Sequence, residues 1–468
     1  MLDKQIEDEY LKLSPELQDS LYKKAQEKLK QPQNPQTLPL QDDSDSLPIS
    51  EDKLNRKQFV EVIAEQIATN PKFHTYSIDG PWGSGKTKLM EWVKEELDKK
   101  YGDTVLTEWF DPWKYESMKN IIFPLIEQLK GKAKGKDFDA KINKMLLASI
   151  LIGGSIFTIK AVGIKAYLEY ISKIPIDKIK GKLQSDFQKL SKLQEDFQDL
   201  VDYILKAKTP QPKKMVFLID DLDRCSPENV VLLLESIKNF LGTEKTCFVF
   251  AIDKRIISQG INHKYGSVTD IDGSEYLEKI IQFSFELPSD PEKYAFEFMR
   301  FYEGGIASPG YNIQFIPHLF AIANVRSVRL MKKIFNRFIL LENLSYKAYQ
   351  SKFDLPMLFF LTFLYECYPQ FYQMILEESA PAQILALIRV NTYNDMKKNA
   401  QNNEYFYEKF TNIPQSQRIK IIVDYYLNTH FNLRDVRSGE IQQHVPKIHA
   451  ILMPSLKAFS MYGTTMME

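Results

Sequence analysis

The sequence predicts an α/β fold: a mainly parallel sheet with helices on both faces, interrupted by a helical insertion and followed by an all-α region. Three observations carry that reading. Residues Gly80 to Thr87 make a glycine-rich loop between a short apolar stretch, His74 to Ile78, and a helical one, Lys86 to Lys99. The apolar run Met215-Val-Phe-Leu-Ile219 ends in two adjacent aspartates, Asp220 and Asp221. Buried-type strands alternate with helical stretches up to about Pro291, which calls for parallel strands covered on both sides.

Composition narrows the function. With 468 residues there is room for two or more domains with real cores. Lys and Arg number 61 and Asp and Glu 61, so no overall field draws the chain to nucleic acid. The 3 cysteines and 6 histidines are scattered, with no zinc-type spacing, and a reducing compartment is expected. Met1-Leu-Asp-Lys-Gln lacks the apolar stretch of a secretory signal. A cytoplasmic location follows as the expectation, peripheral at the inner face of the membrane if the insertion meets lipid.

In chain order, residues 1–30 carry Leu11, Leu13, Leu17, Leu21 and Tyr22 at helical spacing. Residues 31–50 are rich in Pro, Gln, Asp and Ser and read as a flexible linker. The nucleotide-binding core spans 51–290 and opens on a helix with Phe59, Val60, Val62, Ile63 and Ile67. A second strand, Thr104 to Phe110, runs into Asp111-Pro112-Trp113; Trp113 is expected to pack on the sheet, in a core cluster with Trp82, Trp92 and Trp109. A sharper reading has Asp111 help position water. Residues 130–210 form the insertion: apolar from Met145 to Ile164, then amphipathic through Ile176, Ile179, Leu183, Phe187, Leu190, Phe197, Leu200 and Ile204. The core resumes with strands Lys214 to Asp220, Thr246 to Asp253 and Ile281 to Leu287. Residues 291–468 read as helices.

The chemistry lies at the ends of the strands. Backbone N–H groups of Gly80, Pro81, Trp82, Gly83, Ser84, Gly85, Lys86, Thr87 and Lys88 (Pro81 excepted) surround one point at a helix start, where a β-phosphate fits. Lys86 reaches the β- and γ-phosphates, and the Thr87 hydroxyl holds Mg²⁺. Asp220 is assigned to the metal and Asp221 to activation of the attacking water, the reverse remaining open. Asp253, ending the next strand, is a sensor of the γ-phosphate, a helix N-cap, or both. A positive group is also needed at the γ-phosphate. Among Arg224, Arg255, Arg326 and Arg329, the choice falls on Arg326 or Arg329; an arginine from a neighbouring subunit, and with it a homo-oligomer, stays open.

Gly80-Pro-Trp-Gly-Ser-Gly-Lys-Thr, Phe110-Asp-Pro-Trp-Lys-Tyr-Glu, Asp220-Asp-Leu-Asp-Arg-Cys225 and Tyr276-Leu-Glu-Lys-Ile-Ile-Gln282 together resemble the KAP family of P-loop NTPases over about residues 50–340. The resemblance implies an ASCE-type ATPase core and a large insertion between the phosphate loop and the acidic strand. It also implies kinship with bacterial phage-exclusion and other defence proteins. In that family the insertion usually carries membrane-spanning helices. Here the apolar run is broken by Lys160 and Lys165 and falls short of about twenty residues for one span. Both flanking strands join one sheet, so the chain must cross a bilayer an even number of times, including zero. A non-spanning hairpin at 145–164 is expected, against a membrane surface, a protein partner or its own domain.

An ATP-hydrolysing switch with ATP and Mg²⁺ as cofactors is the expected function. A nucleotide-gated scaffold with negligible turnover and a nucleic-acid-linked ATPase are the alternatives. Nucleic acid is not indicated, for want of a basic stripe. GTP is disfavoured by the lack of an Asn-Lys-x-Asp motif.

Overall fold

The computed structural model describes residues 52, 54–70, 75–118, 120–152, 186–265, 272–303, 315–349, 354–377, 381–389, 404–434, 436 and 438–462. The helix expected at 1–30, the linker at 31–50 and the middle of the insertion, 153–185, lie outside the described residues.

Five strands form one sheet: β1 (Thr75–Asp79), β2 (Val105–Phe110), β3 (Lys214–Ile219), β4 (Thr246–Ile252) and β5 (Phe283–Glu286). Their order is β2-β3-β4-β1-β5, and every pairing is parallel. β4 therefore stands as an additional strand between the phosphate-loop strand β1 and the acidic strand β3, as an ASCE-type core requires.

Strand side chains alternate between two apolar layers, as the pleat dictates. Met215, Phe217 and Ile219 of β3, with Phe248, Phe250 and Ile252 of β4, enter one layer. Val216 and Leu218, with Cys247, Val249 and Ala251, enter the other. Phe217 and Phe248 stack across the strands at 4.9 Å between ring centroids. The second layer is closed by α1 (Lys57–Thr69), through Val60, Ile63 and Ile67, and by α2 (Lys86–Tyr101), through Leu89, Met90 and Val93.

The first layer is closed by α3 (Ile122–Glu127), α4 (Lys136–Ile152), α5 (Asp186–Lys206) and α6 (Pro227–Ser236), with Ile257 and Ile261 of α7 (Lys254–Tyr265). α4 and α5 are the described ends of the insertion. Phe138, Ile142, Met145 and Leu146 of α4, and Phe197, Leu200 and Ile204 of α5, are buried with the strands. Lys141 and Lys144 of α4 pair with Asp199 and Asp196 of α5 at 3.0 and 2.6 Å. The described part of the apolar run, 145–152, thus begins inside the core of its own domain; 153–164 lies outside the described residues. No described helix is long and apolar enough to cross a membrane.

The chain divides into two units. One holds the described residues of 42–295 together with 323–332, so a short stretch expected in the helical region clusters with the sheet. The other holds those of 296–322 and 333–468. Its described residues contain no strand. Its most buried helix is Leu355–Cys367, capped by Asp354, whose carboxylate accepts from the Met357 N–H at 2.7 Å. Phe360 of that helix stacks on Tyr426 at 3.8 Å.

Candidate nucleotide-binding site

Because the strands are parallel, β1, β2, β3 and β4 all end on one edge of the sheet. Gly80, Asp111, Asp220 and Asp253 are the residues that follow them, brought side by side by the register Phe110 to Ile219 to Phe250 and Asp79 to Ile252. This is where ligands meet open parallel sheets.

The loop from Gly80 to Thr87 turns on two glycines in the left-handed region, Gly83 at φ 78° and Gly85 at φ 91°. Gly85 is the residue before α2, and no side chain caps that helix. The first N–H groups of α2 are left to an external acceptor, which suits an anion. The loop is backed by Arg56, 3% exposed, whose Nη2 donates to the Ser84 carbonyl at 3.0 Å and to the Tyr294 hydroxyl at 3.1 Å. From the far side the Arg329 N–H donates to the Gly83 carbonyl at 3.2 Å. A Cβ on Gly83 would lie 2.3 Å from the Ser327 Oγ, so this loop position is closed to any side chain.

Lys86 is 8% exposed and points into the loop. Its Nζ donates to the Gly80 carbonyl at 2.9 Å and pairs with Asp223 at 3.3 Å. Thr87 is exposed on the first turn of α2, on the side of Asp220, and its hydroxyl favours the charged form of that carboxylate. Burial pushes the Asp220 carboxyl up to about 6; the Thr87 hydroxyl opposes this, while the charges of Asp221 and Asp111 add to it. Asp221 adopts φ 54°. Its carboxyl is also raised, by burial first, with Arg224 pulling it back and Asp111 and Asp223 pushing it up.

That concentration of carboxylates around one hydroxyl fits a divalent cation, whose charge would relieve it. Among the described residues no group of three or more His, Cys, Asp or Glu could hold a metal alone. Mg²⁺ does not need one, since it keeps waters and takes substrate phosphates as ligands. Thr87 and Asp220 are the residues that would face it.

The acidic turn is braced by the segment after β2. Glu116 accepts from the Ser226 N–H at 3.0 Å and from Asn229 Nδ2 at 3.2 Å. Burial alone would raise the Glu116 carboxyl, but bonds from Ser226, Asn229 and Cys225 outweigh it and hold the group below its ordinary value. Trp113 does not pack on the sheet. It is 48% exposed and lies under the Arg224 guanidinium at 4.9 Å, whose Nε pairs with Asp221 at 2.9 Å. Nor do the four tryptophans form a core cluster: Trp92 is buried, but Trp82, at the tip of the loop, is 54% exposed. A flat guanidinium offers Trp113 a cation–π partner that the filled sheet face cannot.

The other candidates separate clearly. Asp253 caps α7, accepting from the Arg255 N–H at 3.1 Å, and its carboxylate also holds the Arg255 guanidinium at 2.9 Å. Arg326 is tied to Asn324 at 3.1 Å and to Glu286 at 3.5 Å, at the end of β5. Arg329 reaches the loop through its backbone. The Lys88 side chain lies along the helix surface, on Glu91 at 3.0 Å and over the Trp92 ring at 5.7 Å. Ser84 is buried, and its Oγ finds no partner among the described residues. Pro81 contributes its carbonyl, which accepts from the Ser84 N–H at 3.2 Å.

Sequence reasoning missed Arg56 and Asp223. Arg56 precedes an ordinary amphipathic helix and carries no local signal. Asp223 stands in plain view in Asp220-Asp-Leu-Asp223, and its offset of three from Asp220 was the available clue.

Three relatives frame this site. The Phage T7 exclusion protein of Escherichia coli (strain K12) is 26% identical over 254 residues, covering 51% of this chain and 34% of that protein. An uncharacterized protein of Methanocaldococcus jannaschii is 28% identical over 164 residues, covering 28% of this chain and 82% of its own length. The Kinase D-interacting substrate of 220 kDa of Rattus norvegicus is 27% identical over 104 residues, 21% of this chain and 6% of that one. The chain thus spans about a third of the exclusion protein. The KAP family P-loop domain model matches residues 56–437, which takes in the loop, the acidic strand and β4 with all the residues described above: this chain is a nucleotide-binding P-loop protein of the KAP family.

Proposed function

We propose that the chain is a Mg²⁺-dependent ATPase that works as a switch. The observation that carries this is the one sheet edge on which the glycine loop, the uncapped start of α2 and the buried Asp220 meet, with Lys86 Nζ held to the Gly80 carbonyl at 2.9 Å. It puts the Thr87 hydroxyl and a buried carboxylate on one side of a phosphate cradle. Bound there, Mg²⁺ would supply charge to offset that developing on the γ-phosphate. Lys86 holds the β- and γ-phosphates, and the loop N–H groups hold the rest. Asp221 accepts a proton from the water that attacks the γ-phosphorus, and its raised pKa makes it the better base. Arg329 is favoured over Arg326 as the positive group at the γ-phosphate, because its backbone already adjoins Gly83.

Lys86→Ala is expected to lose ATP binding, measured with a fluorescent ATP analogue. Asp221→Asn is expected to keep binding and lose phosphate release by about 10²- to 10⁴-fold. Full turnover by Asp221→Asn would remove Asp221 from the role, and its selective loss in Asp220→Asn would exchange the two.

Likeness to the Phage T7 exclusion protein supports a defence role. Phage plating on cells carrying the chain, against cells carrying Lys86→Ala, tests it; equal plating on both and on cells without the chain would sink it.

A further inference from the structure

Asp223 takes no part in the chemistry above, yet it is one of the most deeply buried acids of the domain. Its side chain is 2% exposed. A buried carboxylate needs partners, and among the described residues Asp223 has Lys86 Nζ at 3.3 Å and the Asp253 N–H at 2.8 Å, both on Oδ2. One oxygen therefore joins the lysine of the phosphate loop to the end of β4. Asp253 in turn starts α7.

We propose that Asp223 is a positioning residue for Lys86: in the nucleotide-free protein it stands in for the phosphate, keeping the lysine ordered and aimed into the loop. This rests on the reading of Lys86 as a phosphate ligand. Its geometric basis is that, among the described residues, Lys86 otherwise has only backbone carbonyls, those of Gly80 and Pro81, at 2.9 and 3.5 Å. A lysine 8% exposed with carbonyls alone would carry an uncompensated charge. Asp223 removes that penalty, and an incoming phosphate must compete with it.

The substitution that isolates this role is Asp223→Asn. An amide oxygen still accepts from the Asp253 N–H, so the link to β4 persists, while the anion facing Lys86 is gone. The probe is pyrophosphate, titrated into the full chain by calorimetry. Asp223→Asn is expected to bind it about three- to thirtyfold more tightly than the parent, since Lys86 no longer has an internal anion. Without ligand the variant is expected to melt at a lower temperature. The double variant Lys86→Met/Asp223→Asn should recover part of that loss, because both buried charges leave together.

Pyrophosphate binding by Asp223→Asn that is equal to or weaker than the parent's would overturn the proposal. If the single variant does not fold, the double decides: recovery of a cooperative melt supports the pairing, and no recovery overturns it. Failure of the parent itself to bind pyrophosphate or ATP would instead remove the reading of Lys86, a distinguishable result because the melting cycle needs no ligand.

Discussion

Asp220 is a carboxylate whose charged form is disfavoured by burial. The group titrates near 3.8 in an unfolded chain and is pushed up to about 6 by burial, with Asp221 and Asp111 adding to it. The folded protein therefore holds this proton more tightly than the unfolded one. Stability should fall as pH rises from about 4 to about 6 and then level off. Asp220→Asn removes the dependence. Without nucleotide it should be more stable than the parent at pH 7, on the order of 3 kcal/mol, and indistinguishable near pH 3.5. Thermal melts across that range check it; a variant less stable than the parent at pH 7 would show that the charged Asp220 is compensated. At this scale, the contiguous motif was legible: Gly80 to Thr87 and Asp220-Asp221 announce themselves by spacing. Contacts between distant residues were not. Nothing local tells that Arg56 bonds Ser84, that Asp223 faces Lys86, or that Trp113 covers Arg224.

At the scale of elements, legibility follows burial. β3 and β4 are covered on both faces and so read as unbroken apolar runs, Met215-Val-Phe-Leu-Ile219 and Cys247-Phe-Val-Phe-Ala-Ile252. β5 lies at the sheet edge, where Phe283 is 45% exposed, and it is shorter than the run around it. The strand order could not be read, since strands far apart in sequence become neighbours. The insertion shows the limit most plainly. An apolar helix face looks the same whether it meets lipid, a partner or its own sheet. In the structure Leu146 is fully buried and Phe197 lies beside Phe217, 6.3 Å between centroids. α4 and α5 are therefore structural members of the domain. Leu146→Ala and Phe197→Ala should each cost about 2–5 kcal/mol of stability in denaturant unfolding. A cost under about 1 kcal/mol in both would return these helices to the class of detachable surface elements.

At the scale of the whole molecule, the phosphate loop is not the property of its own neighbourhood. Residues 323–332 come far later in the chain, yet they belong to the same unit as the sheet. Ser327 begins the helix Val328–Tyr349, its Oγ accepting from the Leu330 N–H at 3.2 Å, and the same Oγ lies against Gly83. The start of this helix therefore meets the loop twice, through Ser327 Oγ against Gly83 and through the Arg329 N–H on the Gly83 carbonyl. Two substitutions at Ser327 separate the contributions. Ser327→Ala loses the cap but adds no bulk, and should cost about 1 kcal/mol of stability while ATP still binds. Ser327→Leu puts a bulkier side chain where the Oγ already lies against Gly83. To fit, the loop must leave the geometry in which Gly83 and Gly85 hold it. ATP affinity should then fall by at least about tenfold, with residues 80–87 unaltered, because displacement of one N–H donor by an ångström forfeits its bond to phosphate. Unchanged affinity in Ser327→Leu would mean that the loop does not depend on this distant segment, and that nucleotide binding is set by the motif alone.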